Sequence, residues 1–196
     1  MDICKLCGKK RELRNSHIIP EFFFKPIYNN KHRVTVFQLE PHQNHIIQKG
    51  YRERLFCEDC EGKFSRYEDY VAKEWYQNNI IPKSTSQDVI KIESLDYKPF
   101  KLFHLSILFR ASVSTKSIFE NIDLGPHEYN IKELILEDDP GSKNRYTFFG
   151  KYLVHKGDLF DSFILQPLKT RLESHRAFIF FFGGVQWHYL VSSHTP

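Results

Sequence analysis

The stretch RLFCEDCEGKFSRYEDYVAKEW, residues 54–75, decides the fold. It sets a Cys57-x-x-Cys60 pair directly ahead of Phe64, Tyr67, Val71 and Trp75, which recur at three- and four-residue steps. That spacing is the apolar stripe of a helix, so it predicts a helix whose first turn carries thiols. A second pair, Cys4-x-x-Cys7, stands upstream with 49 residues between the pairs and runs into Gly8, as in a tight knuckle turn. Two pairs of thiolates are the closed tetrahedral set that structural zinc takes. Disulfides are the alternative use of four cysteines, and a reduced cytosol argues against them. Zn2+ held by Cys4, Cys7, Cys57 and Cys60 is therefore expected, joining a knuckle to a helix start with strands between. This describes a treble-clef module in which the metal supplies folding energy.

The bulk numbers set the frame. The 196 residues suffice for one well-buried core, or for a small module docked on a larger one. Apolar residues at 41% and charged residues at 27% are ordinary globular values, and 18 Phe with 10 Tyr point to a large aromatic core. The longest apolar run, AFIFFFGGV at 177–185, falls well short of the roughly 20 residues of a membrane helix. The opening MDICKLCGKK lacks an apolar signal core, so a soluble, cytoplasmic protein with no membrane partner is expected. The net charge of +4 is unevenly placed: residues 1–33 hold eight Lys or Arg against three Asp or Glu, a balance of +5. A basic face of this kind suits a polyphosphate, although charge clusters are more often simply solvated.

That basic face surrounds His17, which sits in LCGKKRELRNSHIIPEFFFK, residues 6–25, where a polar turn meets an apolar run. In chain order, CKLC, SHIIP and CEDCEGKF resemble the HNH endonucleases of the His-Me finger class that carry a four-cysteine zinc site. The resemblance covers roughly residues 1–75, and stretches beyond it look similar to a group of bacterial HNH-like proteins. It implies a ββα-metal module that hydrolyses phosphodiester bonds in DNA, in a setting such as phage defence. His17 falls on the family's catalytic histidine, the base that activates water. Glu61 falls where the family places the Asn or His that binds a catalytic Mg2+ or Mn2+. Ser16 replaces the family's metal-binding Asp, and Phe64 its lysine, with Lys63 and Arg66 beside it. Glu68, seven residues beyond Glu61, shares nearly the same helix face at about 10 Å, too far to hold the same ion directly. Lys9, Lys10, Arg11, Arg14, Lys63 and Arg66 are the candidate contacts to nucleic acid.

Plainer readings stand beside these. A lone histidine next to an apolar run is commonly a packed, hydrogen-bonded residue, and Glu61 is favourable near a helix N-terminus without any ligand. His42 and His45, in EPHQNHIIQKG at 40–50, lie in the segment between the cysteine pairs and are candidates to face the same cleft. The function expected is thus a metal-dependent DNA endonuclease. The alternative is a catalytically inactive zinc-stabilised module that binds nucleic acid or serves as a protein-interaction subunit, with a protein partner or a homo-oligomer as its assembly.

The rest of the chain reads as an α+β body over 81–196, following the zinc module at 1–80. QNNIIPKSTSQ at 77–87 breaks the first helix with Pro82. YKPFKLFHLSILFRASVS at 97–114 predicts a helix apolar nearly all round and hence buried, in which Arg110 needs a partner. Glu120, Asp123 or a helix-end carbonyl are expected there, with a bound phosphate the lesser alternative. Gly125-Pro126 opens a second helix to about residue 137. YTFFGKYLVH, FDSFILQPL, RAFIFFFGG and VQWHYLVSS, spread over 146–193, predict a small antiparallel sheet covered by the two helices, with Gly183-Gly184 as a hairpin turn.

Overall fold

The computed structural model describes residues 1–36, 45–80, 89, 92, 94–156, 158–159, 163–172 and 174–192. The chain is a mixed α+β protein with small antiparallel sheets. Its first elements are short: β1 (Asp2–Ile3) pairs with β2 (Lys10–Arg11) around the knuckle, where Gly8 takes φ +71°. β3 (Leu13–His17) runs antiparallel to β6 (Arg52–Cys57), and between them β4 (Arg33–Val36) and β5 (His45–Gln48) form a separate ribbon. His42 lies outside the described residues, and His45 is placed only as the first residue of β5.

Helix α1 (Glu58–Ala72) follows β6 without a loop and continues into a π-type turn over Lys73–Gln77. Its buried face is Cys60, Phe64, Tyr67 and Val71, with Trp75 buried just beyond, the stripe expected from spacing. Acidic Glu58, Asp59 and Glu61 fill its first turn, where the helix dipole favours negative charge. Helix α2 (Tyr97–Ser112) starts at Asp96, whose carboxylate accepts from the Lys98 amide at 3.0 Å, and every residue from Lys101 to Ala111 is buried. Helix α3 (His127–Leu136) buries Ile131, Leu134 and Ile135.

The C-terminal sheet has strand order β10-β11-β12-β7, from β7 (Phe148–Tyr152), β10 (Leu165–Leu172), β11 (His175–Phe182) and β12 (Val185–Leu190); β8 (Val154–His155) and β9 (Asp158–Leu159) form a small side ribbon. Gly183 and Gly184 both take positive φ between the paired Phe182 and Val185, the backbone of a two-residue turn matched to strand twist. Gly183 has a second reason: a Cβ there would lie 2.6 Å from a ring carbon of Phe23. That ring belongs to a cluster of Phe23, Trp75, Phe182 and Trp187 which ties the segment after His17 to the sheet. One continuous hydrophobic core runs from Leu6 and Phe24 through Phe64 and Phe109 to Phe178 and Trp187. Among the described residues no helix is long and apolar enough to cross a membrane.

Candidate metal centre and adjoining polar site

The knuckle and the start of α1 bring all four cysteines together, with their Sγ atoms within 4.8 Å of one another. Cys4 and Cys60 are 3.6 Å apart, Cys7 and Cys57 3.8 Å. A disulfide is about 2.05 Å long, whereas a zinc tetrathiolate with Zn–S near 2.3 Å has sulfur–sulfur edges of about 3.8 Å. The geometry therefore fits a tetrahedral ion and not cystine. Backbone bonds hold the cradle: Gly8 N–H donates to the Cys4 carbonyl at 2.9 Å, Lys5 N–H to Leu55 at 3.0 Å, and Cys57 N–H to the Cys4 sulfur at 3.4 Å. Burial, with the Cys4 and Cys57 sulfurs alongside, pushes the Cys60 thiol well above its ordinary range. Four crowded sulfurs of this kind are deprotonated together only when a cation balances them.

Beside this centre, side chains alternate along β3. Ser16, fully buried, donates to Glu61 Oε1 at 2.7 Å. His17 takes the other direction and meets Arg52, its cross-strand partner on β6, together with Glu21 and the Lys49 carbonyl. Arg52 Nε donates to His17 Nε2 at 2.8 Å, and since a guanidinium nitrogen is always a donor, Nε2 is the accepting nitrogen. The Lys49 carbonyl, 3.1 Å from the same nitrogen, is then a contact and not a bond partner. Burial, seconded by Arg52 and opposed by Glu21, lowers the His17 pKa to about 4. The imidazole is neutral at neutral pH, with its basic lone pair engaged by Arg52. Glu61 moves the opposite way: burial raises its pKa, against the Ser16 bond and the nearby Arg110 charge.

Arg110 is the residue that joins these groups. It is 1% exposed, and its Nη1 donates to Glu68 Oε1 at 2.6 Å and to the His17 carbonyl at 2.8 Å. Its Nη2 and Nε reach Ser106, and the guanidinium lies 5.0 Å from the Phe64 ring centroid. The expected partners Glu120 and Asp123 are instead exposed, because the loop after α2 carries them away from the α1–α2 contact. Glu68 satisfies Arg110 because it sits one turn beyond Phe64 on the face of α1 that packs on α2.

A second, harder cation finds a poor site here. Mg2+ and Mn2+ take oxygen ligands, and the set on offer is the Ser16 hydroxyl with one Glu61 carboxylate, already bonded to each other. Glu68 is engaged by Arg110, whose charge acts on Glu61 and opposes another cation there. The residues present do not fit a resident divalent ion. Two open cavities lie elsewhere, one beside Phe22 and Tyr76 and one beside Arg171 and Arg176, and neither is lined by His17 or Glu61.

The basic residues divide by their surroundings. Lys9, Lys10 and Arg11 are exposed on the knuckle ribbon, and Arg66 is exposed on α1. Arg14 pairs with Glu58 and, at 3.9 Å, with Glu12. Lys63 Nζ donates to the Leu136 carbonyl at 2.7 Å, capping the end of α3. Arg52 reaches the imidazole through strand register, which carries no signal in a single sequence, whereas Glu21 stands only four residues after His17, in the short helical turn Glu21–Phe23. Comparison with protein families, curated proteins and solved structures returns no match for this chain.

Proposed function

We propose that residues 1–80 form an HNH-like zinc module of the treble-clef, ββα type, and that it holds DNA through the phosphodiester backbone without cutting it. The HNH-like layout is supported by the contact between Ser16 and Glu61: the residue before the histidine and the residue after the fourth cysteine share one spot. The observation that favours binding over hydrolysis is Arg110, bonded to Glu68 and to the His17 carbonyl, whose fixed positive charge acts on Glu61, the residue on which the endonuclease reading places a divalent ion. Lys9, Lys10, Arg11 and Arg66 are the exposed cations that meet phosphates, while the pairing of Arg14 and Lys63 reduces their part.

Fluorescence anisotropy of a short duplex across a salt series tests this. Binding should weaken steeply with salt, and Lys10→Ala and Arg11→Ala should each lower the log–log slope by about one. Absence of salt-sensitive binding sinks the proposal. The second reading, a metal-dependent endonuclease, is favoured by the neutral His17 imidazole, the protonation state a general base requires. Plasmid nicking in Mg2+ or Mn2+, lost in His17→Ala while zinc content is retained, decides for it.

A further inference from the structure

A basic cleft on the C-terminal sheet is independent of the zinc module. Arg171 on β10 and Arg176 on β11 are direct cross-strand partners, so their side chains start on the same face of the ribbon. Like charges in that position repel and are disfavoured unless something balances them. Lys169, two residues before Arg171 and so on the same face, adds a third charge. Arg171 and Lys169 are exposed, and no carboxylate pairs with either among the described residues. Arg176 is anchored by a carbonyl: its Nη1 donates to the Asp123 main chain at 2.9 Å.

These side chains line space and are not spread over a flat surface. A cavity of about 560 Å3 is bounded by Arg171, Arg176, His127, Ser174 and His175, and an adjoining one of about 310 Å3 by Lys169, Thr170, Arg171 and Arg176. Among the described residues no acidic side chain lines either; Glu173 lies outside the described residues. Among the described residues the Nδ1 atom of His175 is buried without a hydrogen-bond partner. His127 opens helix α3, so the positive end of that ten-residue helix borders the same cavity.

We propose that this cleft binds phosphate groups. The forked guanidinium of Arg171 suits bidentate contact with two phosphate oxygens, Arg176 and Lys169 neutralise the remaining charge, and His175 supplies a ring nitrogen from the wall. A free phosphate or pyrophosphate and the backbone of a nucleic acid present the same chemistry, and the volume is in the range of small-molecule sites.

Isothermal titration with inorganic phosphate, pyrophosphate and a short DNA duplex distinguishes the sources, using the full zinc-loaded chain. Arg171→Gln is the informative variant, because among the described residues this exposed side chain has no ion-pair partner to lose and the fold should survive; unchanged thermal unfolding verifies that. Lys169→Gln is the second. Pyrophosphate binding that falls at least tenfold in Arg171→Gln supports a free phosphate ligand. Duplex binding alone, weakened by the same variants, supports a backbone phosphate. Failure of all three probes to bind, or binding indifferent to both substitutions, overturns the proposal. The pyrophosphate result is also blind to Lys10 and Arg11, so it stands or falls apart from the DNA-binding reading of the zinc module.

Discussion

Replacing Arg110 by methionine removes a cation that ties α2 to α1 and to the end of β3. The side chain is 2% exposed and Glu68 23%, so the pair is largely desolvated but Glu68 keeps some contact with water. Truncating one partner of a buried pair costs about 3–5 kcal/mol, chiefly because the other charge is left without compensation. The partial hydration of Glu68 puts Arg110→Met near the lower end, about 3 kcal/mol, and the His17 carbonyl loses its donor as well. Removing both charges, in Arg110→Met with Glu68→Leu, strands no ion, so the double variant should be more stable than Arg110→Met alone. Urea unfolding of the four proteins gives the coupling directly. Additive single effects, or an Arg110→Met variant within about 0.5 kcal/mol of the parent, would refute the view of Arg110 as the link between the two halves.

Two further outcomes follow from the metal centre and from the imidazole. Purified protein should contain one zinc per chain by atomic absorption. A strong chelator, or Cys60→Ser, should lower the melting temperature and release hydrogen-exchange protection first in β1–β3 and the start of α1; a metal-free protein with unchanged melting contradicts the site. For His17 the folded pKa, about 4, lies below the ordinary 6.5, so the unfolded chain takes up the proton first as pH falls. Its contribution is therefore fully present above pH 6.5 and is lost as pH falls towards 4, by at most about 3 kcal/mol. An NMR titration should place the ring near pH 4 and higher in Arg52→Met, with His17→Gln isolating its share of the acid unfolding. A native value at or above 6.5 would show that burial and Arg52 do not control the ring.

What the sequence made legible was whatever depends on spacing within one element. The helical stripe from Phe64 to Trp75, the buried run of α2 and the two C-x-x-C pairs each repeat on a period that geometry imposes. Of the strand read from FDSFILQPL at 160–168, residues 160–162 lie outside the described residues, Phe163 and Ile164 precede the strand, and β10 runs on to occupy Leu165–Leu172. The reason is its place at the edge of the sheet. An edge strand tolerates charges on its open side, so Lys169, Thr170 and Arg171, which lie beyond the expected strand, are nevertheless paired with β11.

The partner of Arg110 escaped for a different reason. A buried arginine within an apolar helix demands a carboxylate, and sequence proximity pointed to Glu120 and Asp123 just downstream. Proximity along the chain is the wrong measure, because α2 presents Arg110 sideways to α1, 42 residues earlier. The better measure was available: Glu68 stands four residues after Phe64, at the edge of an apolar stripe that must itself be buried against another helix. A carboxylate in that position needs a cation on the facing helix as much as Arg110 needs an anion. Phe64 and Glu68 receive the guanidinium together, one by its ring face and one by its charge. Two turns of helix already separate Glu68 from Glu61, and the arginine that Glu68 holds adds a fixed positive charge acting on Glu61, so the contact that locks the two helices also sets what the adjoining site can bind.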